Sequence, residues 1–276
     1  MAAPTIISGH TKGNDTSSVT SHVVTAPTNT TDDYIVIAFS TDEPSDTITA
    51  PAGFSTLYNP INVSSAATGA VFWKKSNGSE PGTFTVVTAA AERAVWIAFA
   101  VRGAVDPTNA ATATSGSSAS ASIPAVTTSG VDHLRISIVL TDGVTTPLGT
   151  ATESHTELDE ISFSSAGSAS VNYKTVATAS TDPAATVSLN VSEQWAGVSF
   201  AFPPAATSHS LSLSGFATAA AEISTVALSQ IHALTAGALS ADTPVIASVA
   251  LSQIHALSVG SSASGTAAID GVTLSQ

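Results

Sequence analysis

The sequence has no cysteine among its 276 residues and few residues of positive charge. Without cysteine, disulfide scaffolds, thiolate zinc sites and cysteine nucleophiles are excluded, so stability must come from packing or from association between chains. Seven Lys and Arg stand against twenty Asp and Glu, which gives a net charge of −13, and no basic residue follows Lys174. Nucleic acid and anionic membrane surfaces are therefore not expected partners, because both require clustered Lys or Arg.

Long apolar runs are also missing. The longest uninterrupted one, residues 94–101, is too short to span a bilayer, and the N-terminal residues lack the basic and apolar stretches of a signal peptide. The sequence thus predicts no membrane insertion. Charged residues make up 10% and aromatic residues 5%, against 43% hydrophobic residues, and the abundant Ala, Ser, Thr and Val favour β-sheets with small side chains.

The first 205 residues contain one pattern twice. Residues 24–40 superpose on 123–139 with an offset of 99, and residues 92–100 superpose on 193–201 with an offset of 101. Short segments in both copies alternate apolar and polar side chains between turn dipeptides such as Asn77-Gly78, which is typical of antiparallel β-sandwiches.

We therefore predict an all-β chain with two tandem antiparallel β-sandwich domains of jelly-roll or immunoglobulin-like type. The first module is placed at 1–105 and the divergent second module at 123–205. The Ser/Ala/Thr-rich residues 106–122 between them are predicted to be an extended linker.

The remaining residues divide into three repeats of 23 residues, namely 208–230, 231–253 and 254–276. Alternation across the repeat junctions favours strands whose side chains form ladders when repeats stack, although a helix over 217–234 is the alternative. The expected ladder residues are Val226, Leu228, Gln230, His232, Leu234, Val249, Leu251, Gln253, His255 and Leu257. A single repeat is too small to bury a core, which favours a homo-oligomer, most simply a homotrimer.

Candidate metal sites are weak in this sequence. His209, His232 and His255 recur at 23-residue spacing and would meet in a trimer. A hydrogen-bonded polar rung explains them better, since no carboxylate accompanies them, so no metal site is assigned. The acidic stretches 42–46 and 157–160 lack the spacing of a calcium loop and are interpreted as solvated loops.

Enzymatic motifs are also absent from the sequence. Neither Gly-x-Ser-x-Gly, nor His-Glu-x-x-His, nor a Walker Gly-Lys-Ser/Thr occurs. We accordingly predict no enzymatic activity and no cofactor. Tyr58 and Trp73 lie beside turn residues and are the candidates for an exposed aromatic pair that stacks on a glycan, with core packing as the alternative.

The first module resembles β-sandwich modules of tailed-bacteriophage virion proteins. The resemblance lies in DYIVIA, APAGF, VFWK, EPGTF and AFAVRG, at residues 33–38, 50–54, 71–74, 80–84 and 98–103. The C-terminal repeats are also similar to those of phage appendage proteins. The resemblance implies a structural protein at the virion surface, as a head or tail fibre, spike or decoration that aids host attachment.

The partners implied by this resemblance are other copies of the chain, other virion proteins and a host-surface glycan. Two alternatives stay open at this point. One is a secreted bacterial adhesin or carbohydrate-binding module, and the other is an architectural cement or collar protein of a capsid.

Overall fold

A computed structural model describes most of the first 205 residues; the exceptions are residues 1, 45–46, 64–65, 109, 144–147 and 164–166. Beyond residue 205 it describes nine short strands. The chain divides into two compact units, Met1–Ala205 and Ala206–Gln276. Every regular element in the described residues is a β-strand, which confirms the all-β prediction.

The first half of unit 1 forms two antiparallel sheets. Inner sheet 1 has the order β1-β9-β4-β7-β6, with β2 also paired to β9, and outer sheet 1 has the order β3-β8-β5. The strands are β1 (Thr5–Ile6), β2 (Thr11–Asn14), β3 (Val19–Thr25), β4 (Tyr34–Thr41), β5 (Ile48–Thr49), β6 (Ser55–Val63), β7 (Ala67–Lys75), β8 (Thr83–Glu92) and β9 (Ala94–Arg102).

The second half repeats this plan with fewer and longer strands. Inner sheet 2 has the order β10-β16-β12-β14-β13, and β11 pairs with β15. The strands are β10 (Thr114–Ile123), β11 (Val126–Thr127), β12 (His133–Thr141), β13 (Thr156–Phe163), β14 (Gly167–Val176), β15 (Thr181–Asp182) and β16 (Ala185–Phe202). Strand β10 corresponds to β2 and β3 joined, and β16 to β8 and β9 joined.

Strand register supports the correspondence between the halves. Gly13 of β2 lies opposite Trp96 of β9, and Gly116 of β10 lies opposite Trp195 of β16. A Cβ at Gly13 would stand 2.6 Å from the Trp96 ring, and one at Gly116 would stand 2.7 Å from the Trp195 ring. Glycine is therefore required at both positions for the indole rings to lie against the neighbouring strand.

Residues 114–122 differ from the predicted linker, because they form most of β10. Thr114–Ser118 pair with the second part of β16, and after an irregularity Ser120–Ile123 pair with its first part. Gly116 faces an indole, and of the strand's residues only Ala121 and Ile123 are buried. The strand thus lacks the apolar alternation by which a strand is recognised in sequence.

The two inner sheets pack face to face and form a central core that both halves share. Alternate residues of β4 and β9, such as Val36 and Phe99, meet Ile136 of β12 and Phe200 of β16 there. The opposite face of inner sheet 1 packs against outer sheet 1 in one outer core, and that of inner sheet 2 packs against the outer parts of β10 and β16 in another. Strands β4 and β12 are apolar or buried on both faces because each lies between two such cores.

Unit 2 contains three parallel three-stranded sheets, with orders β17-β20-β23, β18-β21-β24 and β19-β22-β25. The strands are β17 (Ser210–Leu213), β18 (Glu222–Ile223), β19 (Val226–Leu228), β20 (Ala233–Ala236), β21 (Val245–Ile246), β22 (Val249–Leu251), β23 (Leu257–Val259), β24 (Ala268–Ile269) and β25 (Val272–Leu274). Each repeat contributes one strand to each sheet, as in a solenoid.

Pairing in unit 2 joins equivalent residues of successive repeats. Leu234 lies opposite Leu257, Val226 opposite Val249, and Leu228 opposite Leu251. The junction predicted as one extended face is divided between two strands, β19 and β20, which belong to different sheets.

Candidate functional site

Tyr58 and Trp73 were the candidates for an exposed aromatic pair. Both side chains are half-buried and pack against the central core. The Tyr58 hydroxyl lies 2.7 Å from the carbonyl oxygen of Ser199 and 2.9 Å from that of Ala111. Burial raises the pKa of the Tyr58 hydroxyl, so it is a neutral hydrogen-bond donor at physiological pH. Its position ties β6 of the first half to β16 of the second.

The two rings are the ends of a series of five aromatic side chains, which we call the aromatic chain. Centroid distances are 5.8 Å from Trp73 to Tyr34, 5.6 Å from Tyr34 to Phe202, 5.8 Å from Phe202 to Phe200 and 6.4 Å from Phe200 to Tyr58. These separations are those of favourable edge and offset contacts. Three rings come from the first half and two from the second, so the aromatic chain joins the two modules.

A small polar hollow of about 180 Å³ lies between β6 and β10, near one end of the aromatic chain. It is lined by Pro60, Asn62, Ala113, Thr114 and Ser115. No aromatic ring lines it, so the stacking surface expected of a glycan site is not part of this hollow.

The second module buries polar groups beneath its outer strands. Arg135 is fully buried and donates to Asp182 and to the carbonyl oxygens of Pro183 and Pro124, at 2.7 and 2.8 Å. Lys174 lies 2.7 Å from the same Asp182 carboxylate. Burial opposes ionisation of Asp182, but hydrogen bonds to both cations dominate and hold its pKa below the usual range.

Ser137 and His155 form the arrangement closest to a catalytic pair. Ser137 Oγ lies 3.0 Å from His155 Nε2, and His155 Nδ1 lies 2.6 Å from the carbonyl oxygen of Thr152. Nδ1 therefore donates to the carbonyl and Nε2 accepts from the serine. The Ser137 side chain has no exposed surface, so a substrate has no access to its hydroxyl and the pair acts in packing.

The acidic stretch 157–160 is tied to the first half. Asp159 accepts hydrogen bonds of 2.8 Å from both His10 and Lys12, and Lys12 also donates to the carbonyl oxygen of Glu160. These bonds outweigh the effect of burial and lower the pKa of Asp159. The stretch thus holds β2 against β13 and is more than the solvated loop expected from sequence.

The other acidic stretch begins at Asp42, which is fixed by Arg93. The Arg93 backbone N–H donates to Asp42 Oδ1 at 2.8 Å, and a guanidinium nitrogen lies 3.5 Å from Oδ2. Glu92, beside Arg93, is buried. Glu92 and Glu193 stand at equivalent positions before apolar segments in the two copies of the sequence pattern.

Among the described residues, no group of three or more His, Cys, Asp and Glu side chains is arranged to hold a metal ion. His209, His232, His255, Gln230 and Gln253 lie outside the described residues. The remaining predicted ladder residues lie in strands β19, β20, β22 and β23.

Comparisons with known proteins give no relative, since no family model, curated protein or solved structure matches the chain. The described part of the chain has no helix that is long and apolar enough to cross a membrane.

Proposed function

We propose that the chain is a structural protein of a tailed-bacteriophage virion, exposed as a head or tail fibre, spike or decoration. The observation that carries the proposal is the position of the family-like segments. Residues 33–38, 71–74 and 98–103 lie on β4, β7 and β9, the three adjacent strands at the centre of inner sheet 1. The resemblance therefore covers the strands that build the module.

The described chemistry supports a structural role. The aromatic chain, the Arg135 and Asp182 pair and the Lys12 and Asp159 pair all join strands or modules to each other. Each uses its polar groups on protein partners, which is typical of side chains that stabilise a scaffold.

The repeats limit how copies of the chain could associate. Their strands pair in register at 23-residue spacing within one chain, so each repeat obtains its strand partners from its neighbours. The homotrimer that we propose would therefore form by side-by-side association of three stacks, without exchange of strands. Sedimentation equilibrium of the full chain tests this proposal. We expect a species of three times the chain mass of 27.4 kDa, and a monomer would contradict it.

Localisation on the virion is tested with particles purified by density gradient from the lysate in which the chain is produced. An antibody raised against the full chain should label intact particles by immunogold electron microscopy, and the chain should sediment with them. Recovery of all the chain in the particle-free fraction, with unlabelled particles, would favour the secreted adhesin instead.

Host attachment through Trp73 is tested by comparing two variants that each remove one ring of the aromatic chain. Trp73→Leu removes a ring that keeps some exposed surface, whereas Phe202→Leu removes a fully buried one. If particles lose adsorption only with Trp73→Leu, the ring binds the host surface. Equal losses would show that Trp73 acts in packing alone.

A further inference from the structure

Glu92 ends strand β8 at the corner where the chain turns into β9, and its carboxyl group is poorly satisfied. The residue is 3% exposed, and its Oε2 atom has no hydrogen-bond partner. An ionised carboxylate in such a place loses its hydration without compensation, which strongly favours the neutral form.

The groups around Glu92 increase this effect. Asp42 and Glu43, which follow β4, face it from the neighbouring segment. Arg93 is the nearby cation, but it is engaged with Asp42 and its guanidinium is partly exposed. On the side of β3, His22 is bonded to Asp15 at 2.6 Å and to Thr88 at 3.1 Å, so it is occupied elsewhere.

Asp42 cannot simply move away from Glu92. Its backbone N–H donates to the Arg93 carbonyl oxygen at 3.1 Å, and its carboxylate accepts from the Arg93 N–H. These bonds hold Asp42 against the residue that follows Glu92, and moving Asp42 away requires the contact between the β4–β5 segment and the β8–β9 corner to open.

The same kind of backbone contact recurs in the second module, where Asp142 meets the continuous strand β16. The Asp142 N–H donates to the Gln194 carbonyl oxygen at 3.1 Å, as Asp42 does to Arg93. Burial, and then the charge of Asp42, raise the pKa of Asp142. Ionisation of Asp42 in the first module therefore opposes ionisation of Asp142 in the second.

We propose that Glu92 is held in its neutral form beside the Asp42 carboxylate, and that loss of the Glu92 proton as pH rises past neutrality opens the β8–β9 corner. The pair is a pH-sensitive contact at the end of unit 1 where both modules bring carboxylates together. This inference does not depend on the proposed virion role.

The direction of the effect follows from linkage. Burial, with Asp42 and Glu43, raises the pKa of Glu92 from 4.5 to about 7. The folded chain therefore binds a proton that the unfolded chain releases between these two values. The stabilisation is fully present below pH 4.5, decreases as pH rises, and is lost above pH 7.

The test compares thermal unfolding of the full chain and its Glu92→Gln variant from pH 5 to pH 8.5. Glutamine keeps the shape of the neutral acid and cannot ionise. The melting temperature of the wild type should fall by about 3 °C or more relative to the variant across this range. Parallel curves for the two proteins would overturn the proposal.

Glu193→Gln, at the corresponding position in the second module, is the matched control and should keep the wild-type pH dependence. Loss of the dependence in this variant would also contradict the proposal.

Addition of Ca²⁺ distinguishes a cation site, since a melting temperature restored at pH 8 by Ca²⁺ alone would show that the cluster binds metal in place of a proton.

Carbon-13 NMR of the glutamate carboxyl groups gives a second measurement on the unsubstituted chain, in case Glu92→Gln fails to fold. One glutamate should titrate with a midpoint near pH 7. Titration of every glutamate below about pH 5.5 would overturn the assignment.

Discussion

Arg135 shows how far the two modules have diverged at single positions. It pairs with Lys174 and Ala201 in its sheet, as Ile35 does with Lys74 and Ala100 in the first module. Ile35 lies in an apolar outer core, whereas Arg135 brings a charge into the equivalent space. Burying that charge is tolerated because Asp182 and two carbonyl oxygens compensate it.

His155 should make the second module sensitive to acid. Burial lowers its pKa from 6.5, and the charges of Arg135 and Lys174 lower it further, against the hydrogen bond to Thr152. The folded chain thus binds fewer protons than the unfolded chain, so stability is present above pH 6.5 and is lost as pH falls through the lower folded value. Chemical denaturation should show that the wild type loses stability relative to His155→Gln between pH 7 and pH 5, since this comparison leaves out the opposite contribution of Glu92.

His10→Gln is a suitable control for the acid effect, because His10 lies in the first module and its side chain is 30% exposed. The acid slope should persist in that variant. An unchanged slope in His155→Gln would show that another group is responsible.

The aromatic chain shows why single side-chain positions were harder to predict than strands. Tyr58 and Trp73 were selected from neighbouring turn residues, which indicate local exposure. Tyr58 contacts Phe200, which lies more than a hundred residues further along the chain, and Trp73 reaches Phe202 only through Tyr34. Local patterns carry no information on such contacts, so they could not decide between exposure and core packing for the two rings.

Strand β10 is the element at which sequence and structure differ most. Its Ser and Gly residues indicate a flexible linker by composition. The structure makes it a strand because its backbone pairs with β16 and because the apolar contact is supplied by Trp195, on the partner strand. By contrast, the strand pairing of unit 2 joins residues at the 23-residue spacing that the sequence shows, such as Val226 and Val249.

Two substitutions within β10 distinguish a strand from a linker. Ala121 is fully buried in an outer core, whereas Ala119 is exposed. Ala121→Asp should reduce the free energy of unfolding by about 3 kcal/mol, because it places an unpaired carboxylate among apolar side chains. Ala119→Asp should change it by less than about 0.5 kcal/mol. Urea denaturation measures both, and equal small effects would contradict the pairing of β10.

At the scale of unit 1, the duplication produces one body with a shared interior. The inner faces of both modules meet in the central core, and Tyr58, Tyr34 and the Lys12 pair cross the boundary. The repeated sequence pattern predicted two tandem modules with a linker between them. The shared core explains why strands such as β4 and β9 are apolar on both faces, since a separated module would expose the apolar face of a whole sheet.

Sharing the central core should make the two modules unfold together. Phe200 belongs to the second module, is fully buried, and contacts Tyr58 of the first. Phe200→Ala should reduce the free energy of unfolding by about 3–5 kcal/mol. Amide hydrogen exchange should then report the same loss for β4 in the first module as for β12 in the second, because both exchange through one cooperative opening.

Val191→Ala, at a position that is 46% exposed, should alter the protection of neither strand. Protection of β4 that survives Phe200→Ala would show instead that the modules are independent domains with an adhesive contact between them.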